Sequence, residues 1–373
     1  MTRVGASQVF FNVVAGFNAR KLIQDHKTVM NVMKAVSLDS FEAMLKPIED
    51  VSRAIGVYIG SIKEISQEMG KATVEFEKFY GSSDEPQKQK AMADALKEVG
   101  LEYAKVGTEA LAAGSRAAQV AAIVGEENIP LLVEQAEILS NISDLTSEES
   151  MKGIIKLQQQ TGVLYGDLNT VQFQRLSQLE KEAVLTTNSA KALDALNTIA
   201  NRSVAVEGEL VETMTNFAAQ GALVEESFAD MAAMSAVLLE AGEEAGAAGR
   251  ALRMIYARMG GDIGGARGEL EAMGVEVINT SGEMNTMRHI TQQLVDMGWD
   301  RMTSAQKQNI AQTIAGNRHY VRFIKLMENQ ARAVQLSEDA LNDVDSAAEQ
   351  AKTAMEDYAY QLDVARAKGE NLK

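Results

Sequence analysis

A seven-residue repeat of apolar and small residues near the end of the chain most constrains what it can fold into. Two series of such positions, three residues apart, form the a/d seam along which identical helices wind around each other. The seam residues are Val334, Leu341, Ala348, Met355 and Leu362 in the first series, and Val344, Ala351, Tyr358 and Ala365 in the second, which the polar Ser337 opens. We therefore predict that this segment starts a coiled-coil rod and that the chain self-associates.

The composition favours helices throughout. Pro47, Pro86 and Pro130 are the only prolines, and aromatic residues make up 5% of the chain. Alanine, leucine, methionine, glutamate, glutamine and lysine, which are the better helix formers, dominate. We predict an all-α protein made of one or more multi-helix bundles with a C-terminal coiled-coil segment.

Three regions are predicted along the chain. Residues 1–85 form an N-terminal region of amphipathic helices, which ends in the turn-forming run Gly81–Pro86. Residues 86–330 are interrupted by glycines too often for a ruler-like rod, so we expect a compact helical bundle there. Residues 331–373 are the start of the rod.

Local signals predict several elements within the bundle. Prolines and capping residues mark helix starts, and one stretch alternates like a short strand. The predictions are a helix opened by Pro130, a capped helix Met151–Thr161 after Ser147–Ser150, a long helical stretch Leu168–Ile199, a short extended turn at Val275–Ile278, and helices Met302–Ala315 and Arg318–Gln330.

Charge and cysteine content exclude some classes of protein. The net charge is −16, and almost all of it lies beyond residue 80. Such an acidic molecule repels phosphate backbones, so we expect no specific nucleic-acid binding. The chain has no cysteine, which excludes disulfides and cysteine zinc sites. Asn12 and Asn18 interrupt the apolar N-terminal stretch, which argues against a signal peptide, and no stretch is apolar enough for a simple membrane-spanning helix.

The residue types that carry catalysis do not converge. His26, His289 and His319 are isolated and match no metal-binding spacing. The glycine-rich run Gly260–Gly268 lacks both the lysine of a phosphate loop and the preceding strand of a dinucleotide site, so we read it as a flexible helix–helix connection. We predict no catalytic, cofactor-binding or metal site and no enzyme activity.

Two further features have more than one interpretation. Arg318, Arg322 and Lys325 share one face of a helix. This face could be a small nucleic-acid patch, but we prefer the interpretation that it pairs with acidic neighbours in a subunit interface. Methionines cluster in the bundle, where we expect them to fill the core rather than line a binding groove. They are Met231, Met234, Met254, Met259 and Met273.

Several short passages occur in a fixed order between Asn197 and Asn329. The first is Leu223–Met231, and the second is Leu239–Gly246 followed by Ala251–Ile255, which together read Ala-Gly, Ala-Gly, Ala-Leu-Arg. The third is Ala272–Val275 with Ser281 and Gly282. The fourth is Ile314–Arg318, which ends in Gly-x-Arg. In this order they resemble the core region of phage tail tape measure proteins, although Met273 stands where leucine is commoner. Ser143–Glu149 is similar to an earlier family passage, so the resemblance extends back to about residue 90.

The resemblance implies a structural role and supplies no active residues. It implies a homo-oligomer, usually a trimer, in the virion, in the lumen of the tail tube or at its tip. There the family sets tail length during assembly in the host cytoplasm and is released during genome ejection. The implied partners are tail tube proteins, tail tip or baseplate proteins and tail assembly chaperones, and transient contact with the host membrane at ejection is left open.

Length is where the chain departs from that family. Tape measure proteins are normally much longer, so this chain is either a short relative or a segment of a longer product. At about 1.5 Å per residue, 373 residues in one helix would span only about 560 Å. With residues 86–330 folded compactly the reach is well under half of that, so we expect ruler function to require chain beyond Lys373.

Two other interpretations stay open. Alanine- and glycine-rich amphipathic helices without a recognisable site also suit a secreted α-helical effector or pore-forming protein, which leakage from liposomes would reveal. A helical enzyme or nucleotide-binding module around Gly260–Gly268 is the third, and calorimetry with nucleotides would test it.

Overall fold

A computed structural model describes residues 74, 86–103, 105, 107–119 and 124–356. These residues all belong to one compact unit of the chain, Met69–Leu372. The predicted N-terminal region, 1–85, lies outside the described residues except for residue 74.

The described residues are mostly helical and contain no strand, which confirms the all-α class. The first eight helices are α1 (Pro86–Glu102), α2 (Gly107–Ala118), α3 (Ile129–Ile142), α4 (Ser147–Thr161), α5 (Thr170–Gln174), α6 (Gln178–Asn201), α7 (Glu207–Thr215) and α8 (Ala218–Leu223). The next eight are α9 (Phe228–Glu240), α10 (Ala245–Gly260), α11 (Ala266–Ala272), α12 (Met287–Asp296), α13 (Ser304–Ala315), α14 (Tyr320–Glu328), α15 (Gln330–Asn342) and α16 (Ser346–Glu356).

Capping residues decide where several helices begin. Pro86 opens α1, and Pro130 lies in the first turn of α3, as predicted. α4 starts at Ser147, earlier than the predicted Met151, because the Thr146 hydroxyl accepts from the backbone of Glu149 and the Glu149 carboxylate accepts in return.

The predicted long helix Leu168–Ile199 is wrong as a single element. The chain forms α5 and then α6, separated by a turn at residues 175–177. Ser177 and Glu180 make a capping box, which satisfies the first free N–H groups of α6 and so starts a new helix.

Two helices form the centre of the core. Every residue from 193 to 199 in α6, and from 231 to 239 in α9, is buried. A helix buried all round must have neighbours on every side, and α6 packs against α3, α7, α9, α15 and α16. Four helices that precede these two in the sequence, α1 to α4, pack on one another.

The methionine prediction holds for most of the cluster. Met231, Met234 and Met259 are buried, and the half-buried Met273 packs against the core. Met254 is 41% exposed and is the exception.

The short extended turn predicted at Val275–Ile278 is present. Ile278 and Met284 form a single antiparallel bridge. The Asn279 N–H donates to the Glu283 carbonyl at 2.8 Å, which closes the turn between α11 and α12.

Candidate self-association segment

The described part of the predicted seam lies on two helices. α15 ends at Asn342 and α16 begins at Ser346, so the continuous helix expected from Val334 onward is broken at residues 343–345. Tyr358, Leu362 and Ala365 lie outside the described residues. The division of the chain at residue 331 stays a prediction, but residues 331–356 pack on the bundle in this structure.

α15 packs one face on α6 and α9. The buried residues of that face are Ala333, Leu336, Ser337 and Ala340. Ser337, expected as a polar misfit of the seam, is completely buried and lies 3.5 Å from an Nη atom of Arg288. Of the predicted seam residues on α15, Val334 is half-buried and Leu341 is 62% exposed.

α16 packs on α3 and α6. Ala351 is buried against the bundle and Met355 is half-buried. Val344 and Ala348 are exposed. The structure therefore gathers only part of the seam on one surface, and self-association stays a prediction.

A buried carboxylate on α6 holds the start of α16. Asp194, 4% exposed, accepts the N–H of Asp345 at Oδ2 and the N–H of Ala347 at Oδ1, both at 2.9 Å. These N–H groups lie at the N-terminus of α16, where a helix has free donors and a positive dipole end. One turn along α6, the Thr198 hydroxyl donates to the Asp343 carboxylate at 2.9 Å. The sequence offered no signal for this contact, because its partners are about 150 residues apart.

The predicted basic face is neutralised within the chain. Arg322 Nε and Lys325 Nζ donate to the two carboxylate oxygens of Glu243, at 2.5 and 2.7 Å. Burial alone would raise the pKa of Glu243, but its hydrogen bonds with Lys325 and Arg322 hold that pKa below its ordinary value. Arg318 is exposed. Two of the three cations therefore join α14 to the loop after α9.

The glycine-rich run connects α10 to α11, as predicted. Asp262 has a φ of +49° and directs its carboxylate at the start of α11. Its Oδ1 accepts from the N–H groups of Arg267 and Gly268, at 2.9 and 3.2 Å. The chain's own carboxylate thus occupies the position that a bound anion takes at a helix N-terminus.

Three buried glutamates are the most perturbed carboxyl groups among the described residues. Burial raises the pKa of Glu137, Glu207 and Glu226 to about 7. The Ser147 hydroxyl donates to Oε2 of Glu137 at 2.5 Å, while Oε1 has no partner among the described residues. This arrangement suits a protonated carboxyl group.

Glu226, in the loop between α8 and α9, contacts two helices, α10 and α12. It accepts from the Tyr256 hydroxyl at 2.8 Å and from the Met287 N–H at 2.5 Å. The N–H of Arg288 also points at this carboxyl, at 3.3 Å. Glu226 therefore caps the first turn of α12 while linking it to α10, which explains a buried carboxyl without any chemistry on a substrate.

The histidines stay apart in the described residues. His289 is exposed on α12 and His319 precedes α14, where burial and the nearby charges of Arg322, Arg318 and Arg250 lower the pKa of His319. His26 lies outside the described residues. Within the part of the chain that the structure describes, no three acidic or histidine side chains are placed to hold a metal ion.

A cleft of about 380 Å³ with mostly apolar walls lies between α4 and the segment 162–170, and Val124 and Leu132 complete its lining. Its polar residues serve the fold: the Gln158 amide oxygen accepts from the Leu164 N–H at 2.7 Å. Tyr165 is the one titratable group among its described lining residues, and its ring stacks on Phe173.

The comparison with protein families gives a result for the middle of the chain. Residues 132–316 match the family model described as phage-related minor tail protein. The match supports a phage tail protein. No solved structure matches the chain significantly.

The match with this family model begins inside a helix and ends at a helix boundary. It begins in α3 and ends at Gly316, the residue that terminates α13. It includes the central helices α6 and α9, and it stops before α14, α15 and α16. The predicted seam therefore lies beyond the matched segment and draws no support from it.

None of the described helices combines the length and the apolar composition needed to cross a bilayer.

Proposed function

We propose that the chain is a tail tape measure protein, which lies in the tail tube lumen or at the tail tip of a phage virion. It sets tail length during assembly and leaves during genome ejection. The observation that carries this proposal is the minor tail protein match over residues 132–316. The ordered passages from Leu223 to Arg318, which resemble tape measure proteins, lie almost entirely inside that match.

The role that we propose is structural rather than catalytic. The polar clusters among the described residues have partners inside the fold: Glu226 caps α12, Glu243 pairs with Arg322, and Asp262 caps α11. These three carboxylates thus serve helix packing. Their contacts support the proposal because a scaffold needs rigid helices.

The proposed partners follow from the tail location. We expect a homo-oligomer, with a trimer favoured, surrounded by tail tube and tip or baseplate proteins. Assembly chaperones would cover the apolar seam before the tube closes, as the exposed Leu341 and Val344 would otherwise promote aggregation. The acidic net charge of −16 suits a protein that shares the tube with DNA without binding it specifically.

An insertion experiment in the phage tests the ruler role. Four added heptads within residues 357–373 would lengthen a helical rod by about 42 Å, and electron microscopy should show tails longer by that amount. A matched insertion of equal length beside Ser281, in the exposed turn of the bundle, should leave tail length unchanged. Unchanged tail length in both phages would contradict the ruler role.

A further inference from the structure

The break between α15 and α16 contains neither of the two strongest helix breakers. Its residues are Asp343, Val344 and Asp345, so neither glycine nor proline interrupts the helix. The heptad pattern continues across it, because Leu341, Val344, Ala348 and Ala351 keep the spacing of three and four. The heptad pattern therefore favours one continuous helix, while the run from Asn342 to Ser346 consists mostly of residue types that also suit helix ends. The sequence is compatible with both arrangements, and the structure has two helices.

Contacts from α6 hold the break open. Asp194, Thr198 and Asn201 lie on one face of α6, three and four residues apart. Asp194 binds the N–H groups of Asp345 and Ala347, and Asn201 donates to the Gln350 side chain at 2.6 Å. These polar contacts form a line along the start of α16.

The docked arrangement carries strain and exposes apolar residues. Asp345 has a φ of +61°, in the left-handed region that disfavours residues other than glycine. Leu341 is 62% exposed and Val344 is 73% exposed. In return the docked helix fully buries only two small residues of α16, Ala347 and Ala351. α16 contributes no large, fully buried apolar side chain to this packing, so its polar contacts with α6 have a large share in fixing its position.

The undocked arrangement would resolve both defects. If residues 343–345 became helical, Asp345 would leave the left-handed region, and α15 and α16 would join. Leu341, Val344, Ala348 and Ala351 would then form one apolar stripe along a single helix. A stripe with strict heptad spacing is complementary to the same stripe on an identical helix, which identifies the partner as a second copy of this chain.

We propose that α16 is a releasable strap: docked on α6 through Asp194 it breaks the heptad seam, and when released it fuses with α15 into one helix that pairs with a second copy of the chain. The strap keeps the seam incomplete in the monomer and makes association depend on undocking. This inference goes beyond the tail-length role and does not require it.

A disulfide lock in the full-length chain tests the strap directly. The hydroxyl oxygens of Thr198 and Ser346 are 3.2 Å apart, a separation compatible with a disulfide, and the chain has no cysteine of its own. In the T198C/S346C double variant, analytical ultracentrifugation should show that oxidation weakens self-association at least tenfold relative to the reduced protein. The T198C and S346C single variants, kept reduced, control for loss of the hydroxyl groups and should associate like the reduced double variant.

A second measurement follows the helix itself. Nitroxides on Q335C and T353C, at exposed positions of α15 and α16, would be about 27 Å apart along one continuous helix. Electron spin resonance should show that the fraction of molecules with this distance increases when Asp194→Ala is added. Equal association of the locked and reduced proteins, no association of either, or a distance distribution that Asp194→Ala leaves unchanged would each overturn the proposal.

Discussion

The break between α10 and α11 and the break between α15 and α16 have different causes. At the first, Gly264 and Gly265 have φ values of +72° and +74°, which glycine adopts without penalty. At the second, Asp345 is held at +61° by contacts from a helix far away in the sequence. The first break is caused by its own residues, and the second is imposed by the tertiary structure.

The comparison teaches that a helix can end for local or for long-range reasons, and that only the local kind is readable in a sequence. The caps differ in the same way. Asp262 caps α11 from five residues away, whereas Asp194 caps α16 from 151 residues away. A break of the second kind can be reversed by removing a distant contact, which a break caused by glycine cannot.

The largest effect that we expect concerns the part of the bundle that precedes both breaks in the sequence. Glu137, Glu207 and Glu226 lie outside both junctions, and their pKa in the folded state is raised from 4.5 to about 7. Between these two values the folded protein binds protons that the unfolded chain releases, so stability falls as pH rises and levels off above pH 7. The free energy of unfolding by denaturant should be higher at pH 5 than at pH 8 by several kcal/mol, at about 1.4 kcal/mol per pKa unit and carboxyl.

Two variants check the origin of this pH dependence. Glu137→Gln mimics a neutral carboxyl group and should flatten the profile while raising stability at pH 8. His319 acts in the opposite direction, since its pKa is lowered by burial and its protonation below pH 6.5 favours unfolding. His319→Gln should therefore steepen the profile. A profile that rises from pH 5 to pH 8 would contradict the assignment of raised pKa values.

Asp194→Ala should affect the break between α15 and α16 and leave the break between α10 and α11 unchanged. It removes the buried acceptor of two N–H groups and should weaken docking of α16 by about 2 kcal/mol. Hydrogen exchange of the amides in Ser346–Glu356 should accelerate roughly 30-fold, at 1.4 kcal/mol per factor of ten, while amides in Ala266–Ala272 keep their rates. Ser189→Ala is the matched control, because the Ser189 hydroxyl is also buried on α6 but bonds only to carbonyl groups of its own helix. Protection of α16 that survives Asp194→Ala would mean that the second break has another cause.

Gly265→Ala tests whether the first break depends on its own backbone. An alanine at φ +74° should destabilise the protein by about 1 kcal/mol through conformation alone, because no atom lies within 4 Å of the added Cβ. Gly268→Ala is the matched control: its Cβ also meets no atom within 4 Å, and it lies inside α11. Thermal unfolding should show a lower Tm for Gly265→Ala and an equal or higher Tm for Gly268→Ala. Equal shifts in the two variants would remove the local explanation.

The smallest effect that we expect is a stabilisation, whereas Asp194→Ala and Gly265→Ala are expected to destabilise. Asp345→Gly relieves the positive φ of the second break and should stabilise docked α16 by about 0.5 kcal/mol, net of the added chain entropy. Asp345→Ala keeps the strained conformation and should weaken docking. Hydrogen exchange of the amides at the start of α16 distinguishes the pair, and a shift of the same sign in both variants would show that strain at residue 345 is unimportant.

Much of the fold could be predicted from local signals. Pro86 and Pro130 open helices, glycines connect α10 to α11, and the turn near Val275 is extended, as expected. These features depend on φ restrictions and capping within a few residues. The capping box at Ser177 was also readable in principle, but its effect on the long helix was underestimated.

The candidate segment was less predictable. The heptads correctly indicated helices over Gln330–Glu356, but not the break at residues 343–345 or the burial of Ala351 against the bundle. Likewise the charges on α14 were visible, while their partner Glu243 was not. Complementary groups 80 to 150 residues apart leave no spacing rule in a single sequence.

By itself the sequence determined that this protein is helical, where several of its helices begin, and that apolar residues repeat every seven positions from Val334 onward. Helix propensity, proline, glycine and short-range caps act over a single turn, so they are written in adjacent residues. Only the tertiary structure decided that Asp194 would cap α16 and that Glu243 would neutralise α14. Packing of the buried helices brings such distant groups within hydrogen-bonding distance, and the desolvated carboxylates must then be paired.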